Sequence, residues 1–101
     1  MMLYIKLAKA NFTNGYFFNL GMAYTNLIAG NGDQIKIQLG FGGEMYEVRI
    51  NRKDNPNQTP RIMAGKKYKY WVHANYNLGD QMKVQIVSIN FLILLAKRES
   101  L

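Results

Sequence analysis

The chain contains no cysteine, which removes disulfide bridges and thiolate metal sites from consideration. Its single histidine, His73, has no carboxylate close by in sequence, so a histidine-based metal site is not expected. Acidic residues are scarce: 6 Asp and Glu stand against 13 Lys and Arg, giving a formal charge of +7 and a pI near 9.8. A surplus of that size implies an anionic partner, either nucleic acid or an anionic membrane surface. There is no long hydrophobic run. The most apolar stretch, Val84 to Ala96, includes Gln85, Ser88 and Asn90 and falls short of the about 20 apolar residues that a membrane span needs. The N-terminus, with Lys6 and Lys9 inside a short apolar alternation, lacks a signal-peptide core. A soluble, cytoplasmic protein is expected.

What is present is a folding composition. Hydrophobic residues make up 49% of 101 residues, with seven Tyr, five Phe and one Trp as bulky core material. That length allows one domain and one core. Strand signals dominate. Leu3, Ile5 and Leu7 alternate with Tyr4, Lys6 and Ala8, and a turn-rich stretch, Asn11 to Gly15, leads to a short strand over Tyr16 to Leu20. Met22 to Ala29 is the expected helix, with Leu27 and Ile28 facing the core and Gly30-Asn31-Gly32 ending it. Ile35, Ile37 and Leu39 mark the next strand, Gly40 to Gly43 a hairpin turn, and Glu44 to Ile50 its partner. Asn51 to Pro60 is polar, contains two prolines and is expected to be an exposed loop. Arg61-Ile-Met63 leads to Gly65. Lys66 to Val72 is predicted as an aromatic strand with Tyr68, Tyr70 and Val72 on one face and Trp71 on the other, ending near His73. Asn75 to Gly79 turns the chain into a strand over Gln81 to Ile89. A nearly wholly apolar strand, Phe91 to Ala96, follows and is expected to be covered on both faces. The fold class is therefore mainly β with one or two short helices, seven short strands forming a closed or half-open barrel that hides its edges. Lys97 to Leu101 is read as the opening of a linker, and the chain as the N-terminal module of a larger protein.

The cations are unevenly spread. Arg49, Arg52, Lys53, Arg61, Lys66, Lys67 and Lys69 lie within 21 residues that hold one acid, Asp54. Asn51, Asn55, Asn57, Gln58 and Thr59 share the segment. Long cations suit phosphates, while Asn, Gln and Arg in a projecting loop have the donor and acceptor geometry for base edges. A second polar projection carries Lys9, Asn11, Thr13 and Asn14. The aromatic run Tyr68, Tyr70, Trp71 and Tyr76 is read as packing in preference to a base-stacking platform.

Catalytic patterns are weak. A metal-dependent nuclease needs Pro-Asp and then an acid, one residue and a lysine; the nearest match, Asp33 with Glu47-Val48-Arg49, lacks the proline and the lysine. Nucleophilic hydrolysis would have Ser88 or Ser100 to draw on, and Ser88 sits in a strand. Gly40, Gly42 and Gly43 match neither the spacing nor the lysine of a phosphate loop. No catalytic residue, metal or cofactor is expected.

The order of elements, with Lys67-Tyr68 to Trp71 and then Gly79-Asp80 before Gln81-Met82-Lys83-Val84, resembles the DNA-binding pseudobarrel of the plant B-three transcription factors. It is similar too to the bacterial relatives of that fold, the effector domains of restriction endonucleases of the EcoRII, BfiI and LlaJI types. The resemblance implies a seven-stranded half-open pseudobarrel and two loop arms gripping the major groove of double-stranded DNA, with further domains or subunits of a restriction system as partners. Carried over, Lys9 to Asn14 is the N-arm and Asn51 to Arg61 the C-arm, with Lys66 and Lys67 at the base of the latter. The EcoRII-type arm carries a histidine-containing turn, which this chain lacks. Two alternatives of other classes are a minimal metal-dependent nuclease and a non-catalytic barrel adaptor for an acidic partner.

Overall fold

The computed structural model describes residues 1–13, 16–21, 27–28, 34–53 and 59–99, excepting the side chains of Ala10 and Asn11. Strand β1 (Met2–Lys6) is followed by one helical turn, α1 (Lys9–Phe12), and then by β2 (Phe17–Asn19), β3 (Gln34–Leu39), β4 (Met45–Asn51) and β5 (Arg61–Met63). Helix α2 (Gly65–Asn75) precedes the hairpin of β6 (Gln81–Ser88) and β7 (Phe91–Leu95). All seven strands form one sheet in the order β1-β6-β7-β3-β4-β5-β2. Neighbours run antiparallel except β3 and β7, which are parallel. The two ends of that order, β1 and β2, stay unpaired with each other, and the curled sheet is the half-open barrel expected.

Period-two alternation builds the interior. Leu3 and Ile5, Phe18, Ile35 and Ile37, Val48 and Ile50, Ile62, Met82 and Val84, and Leu92 and Leu94 all point inward and are buried. Burying each such side chain is worth about 1.5–3 kcal/mol, so the register is strongly fixed: a one-residue slip would turn each set to water. In β7, Leu95 and Ala96 are buried as well, while Phe91 and Ile93 are half-buried, so this strand is covered on both faces as its composition demands. The β3–β4 turn needs glycine at Gly43, where an added Cβ would lie 1.8 Å from the Leu39 carbonyl oxygen.

The segment expected to be an aromatic strand is helix α2, and β5 is the seventh strand in its place. Two patterns coincide in this stretch. Tyr68, Tyr70 and Val72 fit a period of two, but Tyr68, Val72 and Tyr76 fit i, i+4, i+8, and these three are the buried ones, whereas Tyr70 is 72% exposed. Burial along one helical face outweighed the strand propensity of Tyr, Trp and Val. The helix is anchored at both ends. The Tyr16 carbonyl accepts hydrogen bonds from the Ala64 and Gly65 amides, at 2.9 and 2.8 Å. Tyr76 Oη donates to the Leu95 carbonyl (2.6 Å) and accepts from the Lys83 amide (3.2 Å). With Tyr68 packed on Phe18 at 5.2 Å between ring centroids, α2 joins the β2 edge to the β6–β7 hairpin and fills the barrel opening.

Other expectations are corrected or fall outside the described residues. The start of the polar turn after β1 is the helical turn α1, held by bonds from Phe12 and Thr13 amides to the Ala8 and Lys9 carbonyls. The helix expected over Met22 to Ala29 lies outside the described residues except for Leu27 and Ile28; Ile28 is buried, but Leu27 is at the surface. Asn75 belongs to α2, so the turn begins at Tyr76. Asn77 to Asp80 then closes on itself: the Asp80 amide donates to the Asn77 carbonyl, and Asp80 Oδ2 accepts from the Asn77 amide at 2.8 Å. Residues 97–99, read as a linker, are fastened to the domain. Glu99 accepts from the Ala96 and Phe41 amides at 2.6 and 2.9 Å, and the Lys83 ammonium donates to the Lys97 and Glu99 carbonyls.

Candidate nucleic-acid interface

The outward positions of β2, β5 and β4 fall into line through their register. Phe17 pairs with Met63 and Asn19 with Arg61; on the other side of β5, Arg49 pairs with Met63 and Asn51 with Arg61. Alternation thus puts Phe17, Asn19, Arg49, Asn51, Arg61 and Met63 on one outer face, opposite the buried Phe18, Val48, Ile50 and Ile62. The described carboxylate on the outer face of these three strands is Glu47, farther along β4 and opposite Lys36. Amides and arginines therefore meet on a rigid sheet with little negative charge around them.

Both arms spring from this face. The N-arm enters β2 at Phe17, and the C-arm leaves β4 at Asn51 and returns at Arg61, beside Asn19. Two residues of strand separate the roots, about 7 Å at 3.3 Å per residue. Asn51 Oδ1 accepts from the Lys53 amide at 3.0 Å, an Asx turn that peels the C-arm off the strand. Lys53 is exposed and Thr59 half-buried; Asn55, Asn57 and Gln58 lie outside the described residues. In the N-arm Lys9 and Thr13 are exposed, the side chain of Asn11 and all of Asn14 being outside the described residues. Its base is fixed by His73, a helical residue rather than the strand-end one expected. That ring stacks on Phe12 at 4.3 Å, and its Nε2 hydrogen-bonds the Phe12 carbonyl.

Arg52 departs from expectation. It is 8% exposed, and its guanidinium donates to the Ile28 carbonyl at 3.3 Å. A cation so enclosed ties the C-arm root to the segment between β2 and β3 and cannot project toward a partner. Arg61 stays on the outer face, with its guanidinium carbon 4.5 Å from the centre of the Phe17 ring. Lys66 and Lys67 begin helix α2, not a strand. Lys66 is exposed, while Lys67 pairs with Glu44 and lies 5.3 Å from the centre of the Tyr46 ring. Lys69 sits 4.7 Å from the Tyr16 ring centre. Three cations of the basic segment thus rest on aromatic faces. Burial pushes the Tyr46 phenol up to about 12, partly offset by a hydrogen bond from the Tyr68 amide and reinforced by Glu44. Tyr68 is raised further, by burial first and Tyr46 second. Both rings are therefore neutral seats, with Tyr46 Oη donating to the Ala64 carbonyl at 2.6 Å.

Reading by sequence alone missed Phe17, Asn19 and Lys69, and gave Arg49 and Asn51 no role at the interface beyond composition. Their signal was present as alternation within short strands, but strand pairing was needed to bring them together. For the nuclease alternative, Glu47 is exposed opposite Lys36, and Asp33 lies outside the described residues. Among the described residues no group of three His, Asp or Glu side chains could hold a metal ion, and no helix is long and apolar enough to cross a membrane.

No protein-family model and no curated protein sequence matches the chain. Its fold has a counterpart among solved structures. The N-terminal domain of Helicobacter pylori LlaJI.R1 superimposes with a TM-score of 0.65 at 14% identity, over 99% of this chain and 85% of that one. The half-open pseudobarrel that the sequence resemblance implied is the fold this chain adopts.

Proposed function

We propose that the chain is a sequence-specific double-stranded DNA-binding domain, the target-recognition module of a restriction-endonuclease subunit, acting in the cytoplasm and without catalytic residues of its own. The observation that carries this reading is the outer face of β2, β5 and β4, where Asn19, Asn51, Arg49 and Arg61 lie between the roots of two polar arms. A major groove is about 12 Å wide, so arms rooted about 7 Å apart can enter one groove together. Lys9, Thr13, Lys53 and Lys66, all exposed, reach the flanking phosphates, and the +7 charge draws the duplex in. Asn11, Asn14, Asn55, Asn57, Gln58, Thr59 and Arg61 supply the base-reading groups of the arms. The likeness in fold to the LlaJI.R1 domain supports the same assignment, because LlaJI-type effector domains are among those the sequence resembles.

Selection from a random pool of duplexes tests the reading. Bound DNA should converge on a short consensus, held about 10³-fold or more tighter than random duplex at physiological salt. Retention of DNA without any consensus would reduce the domain to a non-specific holder. No retention at all would favour the adaptor for an acidic partner.

A further inference from the structure

Arg61 differs from every other cation in the basic segment. Its guanidinium lies against the Phe17 ring, its Nε is shut off from solvent without a hydrogen-bond partner, and the ion pairs among the described residues, Lys67–Glu44 and Lys97–Asp80, do not include it. A guanidinium half-buried on a sheet, with no carboxylate to satisfy it, costs stability unless something else engages its donors. Its location is equally specific. Arg61 pairs with Asn19 on one side and Asn51 on the other, at the point where the C-arm rejoins the sheet.

On the reading of the domain as a DNA-binding module, we infer that Arg61 recognises guanine, offering its two Nη groups to the O6 and N7 acceptors, and that Phe17 is the positioning residue that fixes the guanidinium plane. Two features favour a base over a phosphate. A phosphate oxygen accepts from many directions and is served by flexible lysines such as Lys66, whereas the paired acceptors of guanine lie in one plane and reward a donor pair held in a plane. The aromatic face supplies that restraint by spanning adjacent strands: Phe17 lies two residues from Asn19, the partner of Arg61, on the same outer face. Being half-buried and outward, Phe17 contributes less to the core than its inward neighbour Phe18.

The test uses the selected consensus duplex and a random one. Each guanine of the consensus is replaced in turn by 7-deazaguanine, which keeps base pairing and removes the N7 acceptor. One position should lose about 5- to 20-fold in affinity for the unaltered protein, and the same replacement should cost Arg61→Lys nothing further, since lysine keeps the charge without the paired donors. Phe17→Leu should reduce discrimination at that one position several-fold, with affinity for random duplex and the salt slope unchanged, and Phe17→Tyr should restore it. Thermal unfolding of each variant confirms that the comparison is between folded proteins. The inference is overturned if a consensus exists but Arg61→Lys responds to every 7-deazaguanine as the unaltered protein does. It is overturned too if Phe17→Leu weakens consensus and random duplexes equally, or if a neutral methylphosphonate, and no guanine, abolishes the effect of Arg61. Absence of any salt-dependent duplex binding would remove the underlying reading and this inference with it.

Discussion

The two sides of the barrel share one interior and use their cations in opposite ways. On the β1–β6–β7 side, Lys83 is spent inside the molecule, its ammonium bound to the Lys97 and Glu99 carbonyls, and Lys97 pairs with Asp80 at 3.0 Å. On the β2–β5–β4 side, Arg49 and Arg61 face outward, and neither belongs to an ion pair among the described residues. The first arrangement fastens a chain end; the second leaves charge available to a partner. Net charge alone cannot separate these cases, because Lys83 and Arg49 count equally in it. Position relative to backbone carbonyls and carboxylates does.

The comparison can be broken at several points. The common interior comes first. Phe18→Ala removes a fully buried ring and should cost about 3–5 kcal/mol in denaturant unfolding, whichever side of the sheet is considered. Next is the fastened side, where Glu99→Ala, losing two bonds from backbone amides to a carboxylate, should cost about 1–3 kcal/mol. Lys83→Met should behave similarly, whereas Arg49→Met should change stability by less than about 0.5 kcal/mol. Equal losses in Lys83→Met and Arg49→Met would erase the distinction drawn between the sides. Tyr68→Phe probes the junction between them: its Oη is buried and lacks a hydrogen-bond partner among the described residues, so removing the hydroxyl should raise stability by up to about 1 kcal/mol.

The smallest effect is one of pH. The Asn77 amide, and after it the Lys97 ammonium, hold the Asp80 carboxyl below its ordinary value of 3.8. A carboxyl depressed in the folded state adds stability that is complete above its unfolded pKa and is lost as pH falls through the folded value. Unfolding followed below about pH 4 should therefore show a shallower acid loss in Asp80→Asn than in the unaltered protein. An identical acid limb in both would mean that the turn draws nothing from this charge.

Much of the barrel was legible in the sequence because its strands alternate cleanly. Ile35-Lys-Ile37 and Glu47-Val-Arg-Ile50 admit one pattern each, and inward and outward sets follow directly. Helix α2 was misread because Tyr68-Lys-Tyr-Trp-Val72 satisfies two periods at once, and the deciding residue, Tyr76, lies beyond the segment. Arg52 was misplaced for a different reason. Within a polar loop it looks like any projecting arginine, and the Ile28 carbonyl that captures it is 24 residues away. Arg61 was picked out as an arm residue, yet its support by Phe17 depends on the β2–β5 register, which no local pattern encodes.

The central claim, that this face and its arms bind duplex DNA, is tested most directly by equilibrium binding of a defined duplex across a salt series. Neutralising four to seven phosphates predicts a log–log slope of about −4 to −6, made shallower by about one unit when Lys66 is replaced by alanine. A slope near zero, or no binding at the lowest salt, would contradict it.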